Sequence, residues 1–358
     1  MTRRVLAISF TQWPTESAWA SFPATGDFYA TRGWYETLIA AALPAGSSAC
    51  FALAHQDERL VAMIPLLRGP DGRLQSLTSP YTCLYRPLLV DGCDDSTWQA
   101  VGRALAGEVR HLRLEAMPAD MPGLAALRQG FRQGRRLLLG FEHFANWHED
   151  VRGSDWAAYL AARPGALRQT IRRRTAKLSA DPQVRLCMLC TQSEIGPGIA
   201  AFESIYQRSW KQPEPYPRFN AACIELAARQ GVLRLALLSH GEVAVAVQLW
   251  VVCGGQAQVL KLAHDEQYRA MSPGTVLTAW VIRHLLEHDC VSTLDFGRGD
   301  DPYKQGWASQ RRMRVGLLLV SPWTASGLLL YARHRLGRIW QKMQKIPSDI
   351  NAMATKTG

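Results

Sequence analysis

The sequence has no apolar run long enough to cross a bilayer. Its longest uncharged apolar stretch, Val243 to Cys253, is interrupted by Gln248 and falls well short of the ~20 residues a spanning helix needs. That excludes an integral membrane protein. Cysteine is sparse, with eight over 358 residues, too few for a disulfide scaffold. Cys187 and Cys190 have CxxC spacing but fall in the strand-like run Val184 to Cys190. Residues three apart on a strand point to opposite faces and cannot chelate one ion, and no second pair exists, so no metal site is expected. Met-Thr-Arg-Arg opens the chain as a secretory signal might, but the apolar stretch Val5 to Phe10 is too short and no small-residue cleavage site follows. A cytoplasmic protein is expected.

Acidic residues are missing in two places. From Arg163 to Lys177 there are six basic residues and no acid, and from Arg298 to Lys345 ten basic and two acidic. The whole chain carries a net charge of +11, yet outside these two segments it is net −3. Two basic patches on a near-neutral body suggest a defined anionic ligand or surface rather than nonspecific coating of nucleic acid. A hydrophobic fraction of 47% with 20% charged residues is that of a globular protein. At 358 residues, two domains are the default, because single cores stop growing near 250–300 residues.

One pattern occurs twice. In the first half a helix (29–42) precedes strands at 49–55, 60–67 and 73–78, and the last of these ends in Ser79-Pro80-Tyr81-Thr82. In the second half a helix (219–230) precedes strands at 233–239, 243–252 and 256–263, followed by Ser272-Pro273-Gly274-Thr275. Each Ser-Pro-x-Thr is followed by a helix (96–108; 275–288) and a strand (111–116; 292–296). Matching landmarks lie 181 to 193 residues apart. This predicts a duplicated α/β unit.

A strand meander followed by a crossover helix should splay where the helix begins, and ligands bind at such switch points. A helix N-terminus there offers unpaired N–H groups and a positive dipole end to a pyrophosphate. Pro273 suits the first helical turn and Gly274 admits close approach, whereas Tyr81 would obstruct it. A nucleotide-like cofactor is therefore expected in the second copy.

The second half resembles the CelD-type (BioF-like) branch of the GNAT acetyltransferases, which is related to the Fem peptidoglycan peptidyltransferases. The resemblance rests on the basic helix from Leu167 to Arg174, Phe202 with Trp210, Gly241 to Ala244, and Tyr268 with Ser272 to Thr275. It closes on the most specific block, Leu294-Asp295-Phe296-Gly297-Arg298-Gly299 followed by Tyr303, Lys304 and Trp307. The first half fits more weakly, through Phe28, Tyr29, Trp34 and the Val61 to Pro65 strand.

The resemblance implies an α/β (α+β) protein of two tandem GNAT-like domains, each a mixed, mostly antiparallel sheet flanked by helices. Residues 1–150 would be a degenerate copy, 151–325 the copy with the cofactor site, and 326–358 a basic helix and tail. It also implies an acyl donor, in the acetyltransferases usually acetyl-CoA, and a small-molecule or cell-envelope precursor as acceptor. The cofactor signature Gln/Arg-x-x-Gly-x-Gly/Ala is incomplete, because only Arg269-Ala-Met-Ser272-Pro273-Gly274 is present. Fem-type relatives use aminoacyl-tRNA and also lack the full signature.

Acyl transfer needs a positioned donor, a deprotonated nucleophile and a stabilised oxyanion. GNAT-like sites meet the last need with backbone N–H groups, here around Leu260 to Ala263. Leu262, Ala263, Arg269, Ser272, Pro273, Gly274 and Thr275 are the expected cofactor contacts. His264 is either a base or a polar loop residue. Asp295 either deprotonates or orients the acceptor, or else caps the turn at Gly297 or pairs with Arg298. Tyr303 is the candidate general acid, and Lys304 a phosphate or carboxylate ligand. Arg168 and Arg172, one turn apart, either bind acceptor or phosphate beside Trp210 and Arg298 or form a solvated basic face. The tail from Trp323 to Lys345 is a basic amphipathic helix, expected to pack on its own domain and alternatively to lie on an anionic membrane surface. A non-catalytic GNAT-like binding protein is the remaining alternative.

Overall fold

A computed structural model describes residues 6–24 and 26–344. The end of the expected basic tail, 345–358, lies outside the described residues, as do the side chains of Ile339, Trp340 and Met343. The first half runs β1 (Leu6–Thr11), α1 (Glu16–Ala20), α2 (Arg32–Ala41), β2 (Ser48–Gln56), β3 (Arg59–Arg68), β4 (Leu74–Ser76) and β5 (Leu88–Leu89). It continues with α3 (Asp95–Glu108), β6 (His111–Pro118), α4 (Leu124–Gln133) and β7 (Leu137–Asp150). Next come α5 (Trp156–Ala161), α6 (Gly165–Ser179), β8 (Val184–Leu189), α7 (Ile195–Gln207), α8 (Phe219–Arg229), β9 (Leu233–His240), β10 (Val243–Cys253) and β11 (Gln256–His264). The described residues end with α9 (Pro273–Glu287), β12 (Thr293–Arg298), α10 (Pro302–Trp307), β13 (Gln310–Val320) and α11 (Ala325–Gln344).

The strands form one mixed sheet in the order β1-β2-β3-β4-β6-β13-β7-β12-β11-β10-β9-β8, with β5 paired to β3. Outward from the central β13/β7 pair the two sides mirror each other. Each side has a single parallel pair, β4/β6 on one and β11/β12 on the other. The last strand of each half crosses over: β7 pairs with β12, and β13 pairs with β6. Sheet and flanking helices agree with the α/β architecture expected from the repeat.

Alternation with period two buries both faces of the sheet. In β3, Met63 and Leu67 join a core with Trp34, Phe51, Phe219 and Leu235, while Ala62, Ile64 and Leu66 join one under α3 and α4. In β10, Val247, Leu249 and Val251 face the first of these cores and Ala246 and Trp250 face a third, under α5, α6 and α9. The shared core joins the halves, with Trp34 of α2 meeting Phe219 of α8 edge-on at 5.8 Å. At Gly33 a Cβ would come within 2.6 Å of Leu226, so the two helices approach closely because position 33 has no side chain. As expected, Pro164-Gly165 separates α5 from α6, and Ile171 and Leu178 of α6 are buried.

Candidate functional site

β11 runs beside β12 only from Gln256 to Gln258, opposite Thr293 to Asp295. The backbones stay close one residue further, where Gly297, at φ +67°, passes so near the Val259 carbonyl that a Cβ would lie 2.9 Å from it, and the strands part beyond that contact. The register of β11 on β10 steps over Leu260, between Val259 and Lys261. This bulge sits where β12 has moved away and re-aims the strand at the opening. A cleft of about 690 Å³ fills the opening, lined by Leu262, His264, Ser272, Gly274, Arg298 and Tyr303 among others.

α9 enters the cleft N-terminus first. Ser272 caps it in the left-handed region (φ 55°, ψ 46°), no side chain caps the helix, and Pro273 has no N–H to offer. Ser272 occupies the first glycine position of the incomplete signature and adopts there the conformation that glycine enters without strain. Ser272→Gly is therefore expected to raise unfolding stability by about 0.5–1 kcal/mol, read from the urea midpoint; an unchanged or lower midpoint would contradict the strain. The first turn is fastened to the sheet. Thr278 Oγ1 donates to the Gly274 carbonyl at 2.8 Å, Gln248 Nε2 donates to Thr278 Oγ1 at 2.6 Å, and Trp250 Nε1 donates to Gln248 Oε1 at 2.8 Å.

His264 ends β11 against the Trp210 ring, centroids 4.4 Å apart. Burial lowers its pKa, with Arg269 adding to the effect and Glu266 opposing it, so the imidazole is neutral at pH 7. Trp210 and Tyr303 stand 45% and 44% exposed at the mouth. Burial around the Tyr303 phenol, together with Asp301, pushes its pKa up, so at neutral pH it can donate a proton but not accept one. Arg298 lines the cleft with its guanidinium 4.5 Å from the Phe144 ring, and Arg269 and Thr275 line it too.

Several expected site residues stand elsewhere. Asp295 is 3% exposed and fully paired. Its Oδ1 accepts from Asn146, Gln258 and the Gly297 N–H at 2.7, 3.1 and 2.7 Å, and its Oδ2 from Arg312 at 2.7 Å, with Arg314 at 3.9 Å. Burial alone would raise its pKa, but Arg312 and Arg314 outweigh it and the net shift is downward. A shielded, fully bonded carboxylate of low pKa is not a base for the acceptor; it caps the Gly297 turn and locks four strands. Lys304 is likewise buried, its ammonium spent on the Arg298 and Gly299 carbonyls (2.7 and 3.4 Å) and Asp301 (3.0 Å). It shapes the loop and has no donor left for a ligand. The Ala263 side chain lies in the shared core, so of that pair only Leu262 faces the cleft. Arg168 and Arg172 do not join Trp210 and Arg298; they line a separate groove of about 1090 Å³ with Trp156, Leu160, Trp280 and Arg283.

Other cleft residues escaped the sequence reading. Tyr81, from the first half, projects into this cleft, stacked on Phe219 at 4.1 Å, and donates to Glu214 at 2.7 Å. Tyr206 and Lys261 also bond Glu214, and the Lys261 ammonium lies 4.5 Å from the Tyr81 ring. Burial alone would raise the Glu214 pKa, but these three donors hold it down, so it is an ionised anchor. Lys261 was the one visible signal, a lone charge in the run Gln256–His264. Among the described residues no group of three or more His, Cys, Asp or Glu converges as metal ligands, and no helix is long and apolar enough to cross a membrane.

Residues 165–305 match a family model described as an acetyltransferase (GNAT) domain. No curated protein matches the chain in sequence. Among solved structures, FemX superposes with a TM-score of 0.56 at 12% identity, over 85% of this chain and 94% of that one. A conserved protein of unknown function from Bacteroides thetaiotaomicron gives 0.55 at 11% identity, over 87% and 99%. The C-terminal domain of a putative lysylphosphatidylglycerol synthetase from Agrobacterium fabrum gives 0.50 at 12%, over 76% and 84%. At such identities the likeness is one of fold. The family match therefore marks residues 165–305 as a GNAT-like acetyltransferase domain, and the superpositions show a fold shared across most of the chain.

Proposed function

We propose that this GNAT/Fem-like chain is an acyltransferase of the CelD-type branch that moves an acetyl group from acetyl-CoA to an amine or hydroxyl of a small or cell-envelope precursor acceptor in the cytoplasm. The observation that carries the reading is the parting of β11 from β12 beside the uncapped N-terminus of α9. A phosphate-bearing donor fits there on the chemistry of the residues present. Gly274 leaves open space up to His264, where a Cβ would make only a 3.5 Å contact, and Arg269, Lys211 and Arg298 add positive charge around the cleft.

The donor supplies an activated thioester. The backbone at the Leu260 bulge orients its carbonyl and offers N–H dipoles to the oxygen as negative charge develops. His264, neutral at pH 7, accepts the proton from the acceptor amine as the new bond to carbon forms. Tyr303 gives a proton to the departing sulfur as the carbon–sulfur bond breaks, and solvent restores both groups. Trp210 and the Tyr81–Glu214–Tyr206–Lys261 cluster wall the acceptor side. On this reading the chain is a duplication, with residues 1–150 a degenerate copy, 151–325 the working copy and 326–358 a basic tail; the mirrored parallel pairs of the sheet support it.

Pro273 favours a second reading, a Fem-type transferase using aminoacyl-tRNA, because it removes one backbone donor from the loop that would hold a pyrophosphate. A thermal-shift panel with acetyl-CoA, longer acyl-CoAs and aminoacyl-tRNA separates the two. A rise in Tm with acetyl-CoA is the expected result, since a ligand that binds only the native state stabilises it. A rise with aminoacyl-tRNA alone, abolished by salt, supports the second reading. No shift with any of them overturns both.

A further inference from the structure

α11 is fastened to the body along one face. Leu330 and Tyr331 pack on Leu139, Leu318 and Val320, and His334 lies against Phe141 at 5.8 Å and Arg113 at 3.3 Å. Gly327 sits so close to the Ser321 carbonyl that a Cβ would lie 2.4 Å from it. At about 100° per residue, the side facing away from these contacts carries Ala325, Leu328, Leu329, Ala332 and Leu336. Leu328, Leu329 and Leu336 are 49%, 72% and 66% exposed, and Trp323, just before the helix, is 81% exposed. The expectation that this helix packs on its own domain therefore holds for one face only.

The polar residues beside the exposed stripe are all cationic or neutral. Arg333 falls on one flank and Arg335 on the other, and Arg338, Lys342 and Lys345 follow in the sequence. No acidic residue occurs from Pro302 to Ser348, and the apolar spacing continues with Ile339 and Met343. In β13, by contrast, the arginines are occupied: Arg312 pairs with Asp295 and Arg311 with Asp300. Arg333 and Arg335 have no such partner among the described ion pairs, and both are exposed.

We propose that the outer face of α11 docks on an anionic lipid bilayer. Trp323, Leu328, Leu329 and Leu336 enter the boundary between headgroups and acyl chains, while Arg333 and Arg335 reach sideways to lipid phosphates. Charge decides between occupants. Two copies placed stripe to stripe would bring their arginine flanks together with no acid on the helix to offset them. An anionic surface instead gains from each arginine and screens it.

The test is co-sedimentation of the full chain with vesicles of phosphatidylcholine alone and of phosphatidylcholine with about one-third phosphatidylglycerol, at low and high salt. The wild type should pellet with the mixed vesicles at low salt, weakly with phosphatidylcholine alone, and less at high salt. Leu329→Glu/Leu336→Glu should weaken binding by at least about tenfold with an unchanged Tm, because both side chains are already exposed to water. Arg333→Gln/Arg335→Gln should weaken binding and flatten its salt dependence. The proposal is overturned if the wild type stays in the supernatant, or if the leucine variant binds as the wild type does. It is also overturned if light scattering shows a dimer that the leucine variant dissolves while vesicle binding is absent, since the stripe would then belong to a second copy.

Discussion

Replacing Asp295 with asparagine should destabilise the protein by about 3–5 kcal/mol, although the side chain keeps its size and most of its hydrogen bonds. The carboxylate is 3% exposed and binds groups on four central strands: Asn146 on β7, Gln258 on β11, Gly297 on β12, and Arg312 and Arg314 on β13. Asparagine removes the negative charge and leaves Arg314, itself 3% exposed, as a buried cation without its counter-charge. Urea unfolding measures the loss, with an unchanged m-value showing that the folded state is intact. The pH dependence supplies a second check. Asp295 has a folded pKa below its ordinary 3.8, so its contribution is fully present above that ordinary value and fades as pH falls through the folded one. The gap between wild type and variant should therefore be constant from pH 5 to 7 and narrow as the pH falls below the ordinary 3.8 toward the lower folded value. A deficit under about 1 kcal/mol at pH 7 would mean that the arginines find other partners.

Gly274→Leu should do the reverse, leaving the fold intact while blocking the cleft. Position 274 has ordinary helical backbone in the first turn of α9, where leucine is the better helix former by roughly 0.5–1 kcal/mol. Its side chain would leave the backbone toward His264, where a Cβ already sits 3.5 Å from Nδ1, and would cover the approach to the Gly274 N–H. Losing a charge-assisted bond from that N–H to phosphate costs about 1.5–3 kcal/mol, which corresponds to a 10- to 100-fold weaker Kd for acetyl-CoA. Gly274→Ala, which adds only the tolerated Cβ, should fall between. A variant of lowered stability that binds normally would place the donor elsewhere.

The elements that sequence made legible are those whose partners are near in the chain. β2 with β3, and β9 with β10 and β11, are largely apolar runs joined by short turns, and Ser272-Pro273-Gly274 marks the start of α9 directly. β7 and β13 were not legible, because each completes the half of the sheet to which it is not adjacent in sequence. Arg311, Arg312 and Arg314 read as part of a basic patch for an anionic ligand or surface, yet their partners Asp300, Asp295 and Asn146 are supplied by other strands and loops. The same held at the cleft. His264, Tyr303 and the loop from Arg269 to Thr275 were visible because they sit near the splayed strand, whereas Tyr81 meets Glu214 across 133 residues of chain. Lys304 and Asp295 stood in the right block, but burial turned both from chemistry to architecture.

Calorimetric titration of acetyl-CoA into the wild type and into Gly274→Leu tests the assignment of the cleft most directly. Saturable one-to-one binding by the wild type, weakened about 10- to 100-fold in the variant while its Tm holds or rises, is the predicted result. Absent binding to the wild type, or equal binding to both proteins, would contradict a donor site at the parting of β11 and β12.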